Sequence, residues 1–476
     1  MLTALAVAAA LPLGAPGLPE TRESRTLAPG VEYTKIVRGT PDADAFWTVD
    51  VAVLADRAAA EARAAQIPGA RVDALPRPDD DRAPGPLGYR VRAGRFATQT
   101  EANAYRATLG TGSVVYSGED GTATTGPWVV NVLRVQRRFR GEVEPVLATG
   151  VVPGREPLSA LAARTGAFAS VNGGYFVIGA ANGTDGDLAG LSVIDGELVS
   201  EAVDGRTSLV FDGDRTEIST LADKHTLVTS SRAHRELDGV NREPGLIRAC
   251  GDETAPAKHD FTCTDPSEVI RYETVFGTTT PAGAGSEAVL DRWGRVVAQR
   301  PRGGALPLSG SVLAGTGDGA TWLAQHARPG RFVTTLSAIH GDDGLLWLKR
   351  GTGVVNGGPR LLPRITAEAE GFDWAEDPGF YYRFGLRRNP RTFAGTTPSG
   401  DLLLVTVDGR APGYSAGASF AEEAAILEAL GAREGVNLDG GGSTTMTVGS
   451  SVVTRPSDAG QVERPIADAI VLTAKG

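Results

Sequence analysis

Val436-Asn437-Leu438-Asp439-Gly440-Gly441-Gly442-Ser443-Thr444-Thr445-Met446 is the stretch from which the fold reads outward. Val436 and Leu438 alternate with Asn437 and Asp439, so a strand here puts the amide and the carboxylate on one face. The glycines that follow let the backbone turn sharply and let a ligand approach the peptide N–H groups. Ser443, Thr444 and Thr445 add hydroxyls at the rim. Such a segment can hold an anion with one carboxylate beside it. The plainer reading is a glycine turn between two buried strands. Asn437 and Asp439 count against it, because an apolar strand rarely buries polar groups without partners.

Upstream, Ser419-Phe420-Ala421-Glu422 has the form of a capping box, with Ser419 as N-cap and Glu422 at the third helical position. Ala424, Ala425, Leu427 and Leu430 give the helix its apolar face, and Gly431 stops it. Helix, loop, buried strand, glycine turn and strand make a compact α/β unit.

The chain has 476 residues, enough for two or three domains. A hydrophobic share of 41% and a charged share of 22% are those of an ordinary globular protein. The net charge of −10 argues against a nucleic-acid partner. Residues 1–30 read as a signal-like leader. Leu2 to Ala15 is apolar and too short to span a membrane, though a basic segment before it is missing. Export is therefore expected, to the extracellular space or the cell wall, with no stable membrane span after processing. The two cysteines, Cys250 and Cys263, fit a disulfide closing a surface loop. His259 lies between them, but one histidine and two cysteines leave a zinc site a ligand short, with no CxxC spacing. No metal and no cofactor is expected.

A repeat occupies the first part of the chain. Trp47 to Val53 precedes the Ala-rich run Ala58 to Ala65, and Tyr89 to Phe96 precedes Glu101 to Ala107. Placing Val49 on Val91 puts Ala60 on Ala102 and Ala62 on Ala104. Two strand–helix halves of this kind, with added strands, make a ferredoxin-like βαββαβ sheet with helices on one face. This domain is assigned to residues 31–118, with Arg77 to Pro86 as a solvated connector. A Gly/Thr-rich boundary precedes a second domain at 127–476. The expected class is α/β (α+β): a strand-rich mixed-sheet domain with few helices, behind a small ferredoxin-like one.

Within the larger domain, Ala169-Ser170-Val171-Asn172-Gly173-Gly174-Tyr175-Phe176 echoes the glycine motif, an apolar strand ending in Asn and then Gly. Asn172 can hydrogen-bond sugar hydroxyls and an aromatic can stack on a sugar ring, although a β-turn with a core Tyr-Phe pair explains the segment alone. Gly353-Val354-Val355-Asn356-Gly357-Gly358-Pro359 is another strand running into glycines. Leu402 to Val407 is apolar on both faces and hence central. Asp408 and Arg410 emerge at its end, where an α/β site usually sits. Arg391, after Pro390, carries a permanently charged fork suited to phosphate. No GxSxG, HExxH, P-loop or Ser-His-Asp order is visible.

Asn437 to Met446 resembles the signature of the phosphodiester glycosidase family. Similar family motifs are Asn172-Gly173-Gly174-Tyr175-Phe176, Asn356-Gly357-Gly358-Pro359, Pro390-Arg391-Thr392 and the closing strand Arg464 to Leu472. The repeat resembles the SPOR domain, carried by Tyr89-Arg90-Val91-Arg92-Ala93-Gly94-Arg95-Phe96 and Glu101-Ala102. The first resemblance implies hydrolysis of sugar-1-phosphodiesters at C1–O, in cell-wall glycopolymers. The second implies binding to peptidoglycan or another cell-wall glycan. Ordinary glycosidases need two carboxylates because an alkoxide leaves poorly. A phosphate monoester leaves well, so one carboxylate can suffice. On this reading Asp439 is nucleophile or general base. Arg391 and the N–H groups of Gly440, Gly441 and Gly442 stabilise the departing phosphate. Asn172, Asn356 and Asn437 orient the sugar. Gly173, Gly174, Tyr175, Gly357, Thr392, Asp408, Arg410, Ser443 and Thr444 complete the binding surface. The rival readings are a non-catalytic envelope glycan-binding protein and a metal phosphodiesterase cutting P–O.

Overall fold

The computed structural model describes residues 9–77, 85–250, 256–373 and 377–474. The start of the expected leader, residues 1–8, and most of the expected connector, residues 78–84, lie outside them. The chain divides into two compact units, each discontinuous in sequence. The first holds residues 1–139, 359–445 and 453–462, and the second holds 140–358, 446–452 and 463–476.

The first unit contains a seven-stranded sheet in the order Glu20–Ala28, Val31–Arg38, Trp128–Val135, Leu402–Val407, Arg391–Thr396, Glu434–Asn437, Arg360–Leu362. Every neighbouring pair is antiparallel. Leu402–Val407 lies in the middle and is buried along its whole length, as its unbroken apolar sequence predicts. The helix Phe420–Ala429 starts at a complete capping box of Ser419 and Glu422. It packs closely because Gly395 and Gly435 are register partners. A Cβ at Gly395 would come within 2.8 Å of Leu427 and one at Gly435 within 2.5 Å.

The same unit holds a four-stranded sheet, ordered Arg71–Leu75, Gly88–Phe96, Trp47–Leu54, Ser113–Tyr116, with helices Arg57–Ala65 and Gln99–Leu109. This is the expected βαββαβ arrangement. Val49, Ala60, Val91 and Ala93 form its core. Thr98 and Glu101 cap the second helix, and Gly110, at φ 65°, ends it in the left-handed region.

Two boundaries differ from the sequence reading. The stretch read as a signal-like leader contains the edge strand Glu20–Ala28, and its Leu11 and Leu13 are buried. Arg38 ties that stretch down by donating to the carbonyls of Leu13 at 2.7 Å and Ala15 at 3.2 Å. The strand Val31–Arg38, assigned to the small domain, belongs to the seven-stranded sheet instead.

The second unit is built almost wholly of strands. An eight-stranded sheet includes Thr352–Asn356, Arg206–Asp212, Arg215–Thr229 and Val333–Gly341 as successive neighbours. A five-stranded sheet runs Ser451–Val452, Met446–Val448, Ala169–Asn172, Asp468–Thr473, Glu142–Leu147. A second five-stranded sheet is mixed, because Gly239–Val240 pairs in parallel with Val269–Tyr272. Hairpins turn at Asp195-Gly196 and across Asp212–Arg215. Cys250 and Cys263 are disulfide-bonded, beside the small hairpin of Leu246–Arg248 and Thr262–Thr264. Among the described residues no helix is long and apolar enough to cross a membrane.

Candidate active site

Antiparallel pairing in the first unit brings three motifs to one end of three adjacent strands of the seven-stranded sheet. Arg391 pairs with Val407 and Phe393 with Asn437. The start of one strand therefore lies beside the ends of its two neighbours, and Pro390, Asp408–Arg410 and Asp439–Gly441 converge. Gly441 donates its N–H to the Pro390 carbonyl at 2.8 Å. Gly441 has φ 62°, and a Cβ there would lie 3.3 Å from the Arg410 guanidinium. Arg410, itself left-handed at φ 53° and exposed, donates to Asn389 Oδ1 at 3.1 Å. Asp439 is half-buried, and its Oδ1 accepts the Gly440 N–H at 2.9 Å. A carboxylate and an arginine thus flank one glycine turn.

The turn is less of an amide cradle than expected. The N–H groups of Gly440 and Gly441 are engaged as above, so at most one of the three expected donors, Gly442, remains. The hydroxyls are more informative. Ser443 Oγ and Thr444 Oγ1 are buried without a hydrogen-bond partner among the described residues. Buried hydroxyls normally find partners, so their isolation marks a place for a polar ligand or water.

Asn437 is buried, and its N–H donates to the Pro359 carbonyl at 3.1 Å. Thr392 is also buried, and its carbonyl accepts the Leu438 N–H at 2.9 Å. Asp408 is buried too. It accepts the Arg455 N–H at 3.1 Å and the Tyr414 hydroxyl at 3.1 Å. Burial pushes its carboxyl up to about 6, against those two hydrogen bonds. Arg391 differs most from expectation. It is 2% exposed, and its guanidinium donates to the Ala418 carbonyl at 2.9 Å and to the Phe384 carbonyl, with the Glu423 carboxyl group alongside at 3.0 Å. It braces the Phe420–Ala429 helix against the sheet. Arg410 is the cation at the turn.

Asn172, Gly173, Gly174, Tyr175, Asn356 and Gly357 belong to the second unit. Asn356 is committed to the fold. Its Oδ1 accepts the Tyr175 N–H at 2.8 Å, and its Nδ2 donates to the Tyr175 carbonyl and Ser192 Oγ, both at 3.2 Å. The Tyr175 hydroxyl donates to the Gly358 carbonyl at 2.7 Å, and its ring packs on His259 at 4.3 Å. Burial, then Arg206 and Arg248, pushes the His259 imidazole well below its ordinary range. Gly173 and Gly174 are required by the protein itself, because Cβ atoms there would collide with Asp468 and Asn356. Asn172 is buried as well. Asp468, not singled out from sequence, accepts the Gly174 N–H at 3.0 Å. Its signal was the closing-strand motif that contains it. Among the described residues no cluster of three or more histidine, cysteine or acidic side chains could hold a metal ion.

Fold and site define a strand-rich α/β protein with one carboxylate and one arginine at a glycine turn, joined to a ferredoxin-like module. The chain belongs to the phosphodiester glycosidase family, whose model matches residues 284–473, and carries a SPOR domain at residues 43–116. A Burkholderia pseudomallei protein, named only for its expected export, is 35% identical over 98% of both chains, with a TM-score of 0.89. A Synechocystis protein shares the fold at 16% identity and a TM-score of 0.58, over 97% of this chain and 80% of that one. The catalytic domain of zebrafish N-acetylglucosamine-1-phosphodiester alpha-N-acetylglucosaminidase aligns over 90% of this chain and 89% of its own. Its identity is 12% and its TM-score 0.36, a level that says nothing of chemistry. No curated protein matches the sequence.

Proposed function

We propose that this protein is an exported hydrolase that cleaves sugar-1-phosphodiesters at the C1–O bond, with cell-wall glycopolymers as substrate. The observation that carries the reading is the placement of half-buried Asp439 and exposed Arg410 at one glycine turn, beside Gly440 and Gly441 respectively. Asp439 attacks C1 or activates water to do so, and the phosphate monoester departs with its charge held by Arg410. The hydroxyls of Ser443 and Thr444, without partners among the described residues, supply further donors. Membership of the phosphodiester glycosidase family supports the reaction class, and the exported relative and the disulfide support an extracytoplasmic location.

The test is hydrolysis of nitrophenyl-phospho-sugar diesters by the full chain in isotope-labelled water. Label in the sugar supports C–O cleavage, whereas label in the phosphate means P–O cleavage and rejects the mechanism. The SPOR match favours one second reading, a glycan-binding protein without turnover. Sedimentation of the full chain with purified peptidoglycan, with no turnover of any diester, selects it.

A further inference from the structure

We propose that Asp223, His225 and Ser337 form a second hydrolytic site, which takes carboxylic esters of short acyl chains. The strands Arg215–Thr229 and Val333–Gly341 are antiparallel, and His225 and Ser337 are direct cross-strand partners. Asp223 lies two residues before His225, so its side chain shares that face. Ser337 Oγ is 2.8 Å from His225 Nδ1, and His225 Nε2 is 2.9 Å from Asp223 Oδ2. One tautomer satisfies both contacts. An ionised carboxylate only accepts, so Nε2 carries the proton and Nδ1 presents its lone pair to the serine hydroxyl. Asp223 is itself fixed, because Oδ2 also accepts the Ala202 N–H at 2.9 Å. A nucleophile held by a base that a third group orients is the arrangement of nucleophilic catalysis, recognised by geometry and not by chain order.

The surroundings suit a reaction better than a merely structural contact. His225 is 3% exposed, while Ser337 is open to solvent. A cavity of about 300 Å³ borders both; Leu198, Leu237, Val240 and Ile339 give it an apolar side, and Glu197 and Glu273 also line it. That size and lining fit a small acyl group. Arg271 lines the same cavity together with Glu273, whose carboxylate pairs with its Nη2. Its Nε has no hydrogen-bond partner among the described residues and is the donor left for a developing oxyanion.

The chemistry balances without a co-reactant other than water. Ser337 Oγ bonds to the ester carbonyl carbon and its proton passes to His225 Nδ1. The carbon–oxygen bond to the alcohol breaks, and the alcohol leaves with that proton. Water then attacks the acyl-serine, passing a proton through Nδ1 back to Ser337 Oγ, and the carboxylic acid departs.

Two measurements on the full chain test this. Treatment with a fluorophosphonate, followed by peptide mapping, should place one adduct on Ser337. Turnover of p-nitrophenyl acetate or butyrate should fall roughly 10²-fold or more in Ser337→Ala and in His225→Gln. Circular dichroism melts will show whether either variant is misfolded, and the adduct needs no variant. Absence of an adduct at Ser337, or ester turnover unchanged in a folded Ser337→Ala, overturns the proposal.

Discussion

Arg391 Nε lies 3.0 Å from Glu423 Oε1, and both side chains are almost closed to solvent. The contact lacks hydrogen-bond geometry, and neither Glu423 oxygen has a hydrogen-bond partner among the described residues. Burial therefore prevails over the nearby guanidinium and pushes the Glu423 carboxyl up to about 8. With a folded value above the unfolded one, the native state keeps a proton that the unfolded chain has released. The stabilisation is fully present below the ordinary carboxylate range and is lost as pH rises through about 8. Glu423→Gln should flatten this dependence. Urea midpoints across that window would check it, and parallel curves for both proteins would exclude Glu423 as the titrating group.

Asp439→Asn should preserve the fold and lower kcat for diester hydrolysis roughly 10²–10⁴-fold, because the amide keeps the shape and loses the basicity. Arg410→Ala should also slow the reaction, whereas Arg391, which donates to the Ala418 and Phe384 carbonyls, is expected to act through the fold. Steady-state kinetics on a soluble diester would decide. Near-normal turnover by the Asp439 variant removes that residue from the mechanism.

What the sequence revealed was local. The capping box of Ser419 and Glu422 reads from four adjacent residues, and the burial of Leu402–Val407 from its unbroken apolar run. The strand Glu20–Ala28 was missed because an edge strand that is polar on both faces has no alternation to detect. The partners of Arg391 were not legible because they are set by tertiary packing, the Ala418 carbonyl being 27 residues away. The His225–Ser337 contact spans 112 residues, and only the Asp-Lys-His spacing on one strand hinted at it.

The disulfide should contribute measurably to stability. Cys250 and Cys263 are 13 residues apart, and closing a loop of about that size restrains the unfolded chain by about 3 kcal/mol. Replacing both with serine should lower the urea midpoint accordingly, and reductant should reproduce the loss in the wild type. The loop also carries His259, whose ring packs on Tyr175. If the double variant melts like the parent, the loop is already ordered without its bond.

The SPOR domain is expected to act as part of the first unit and not as a free tether. Tyr382, outside the matched segment, donates its hydroxyl to Asp50 Oδ2 at 2.8 Å and accepts from Arg90 at 2.8 Å and Arg92 at 3.1 Å. Burial pushes that hydroxyl up to about 12, so it stays protonated and able to donate. Arg92 is further held by Asp50 and Asp120, each at 2.6 Å. Tyr382→Phe removes the shared hydroxyl and leaves buried donors and a carboxylate short of a partner, at a cost of about 1–3 kcal/mol. Deleting residues 43–116 uncovers Tyr382 as well. It should therefore lower both the melting temperature and the turnover of small soluble diesters, in addition to any loss of wall binding. A deletion variant that hydrolyses small diesters at the parent rate, with an unchanged melt, would show instead that the domain is only appended and that its role is confined to glycan attachment.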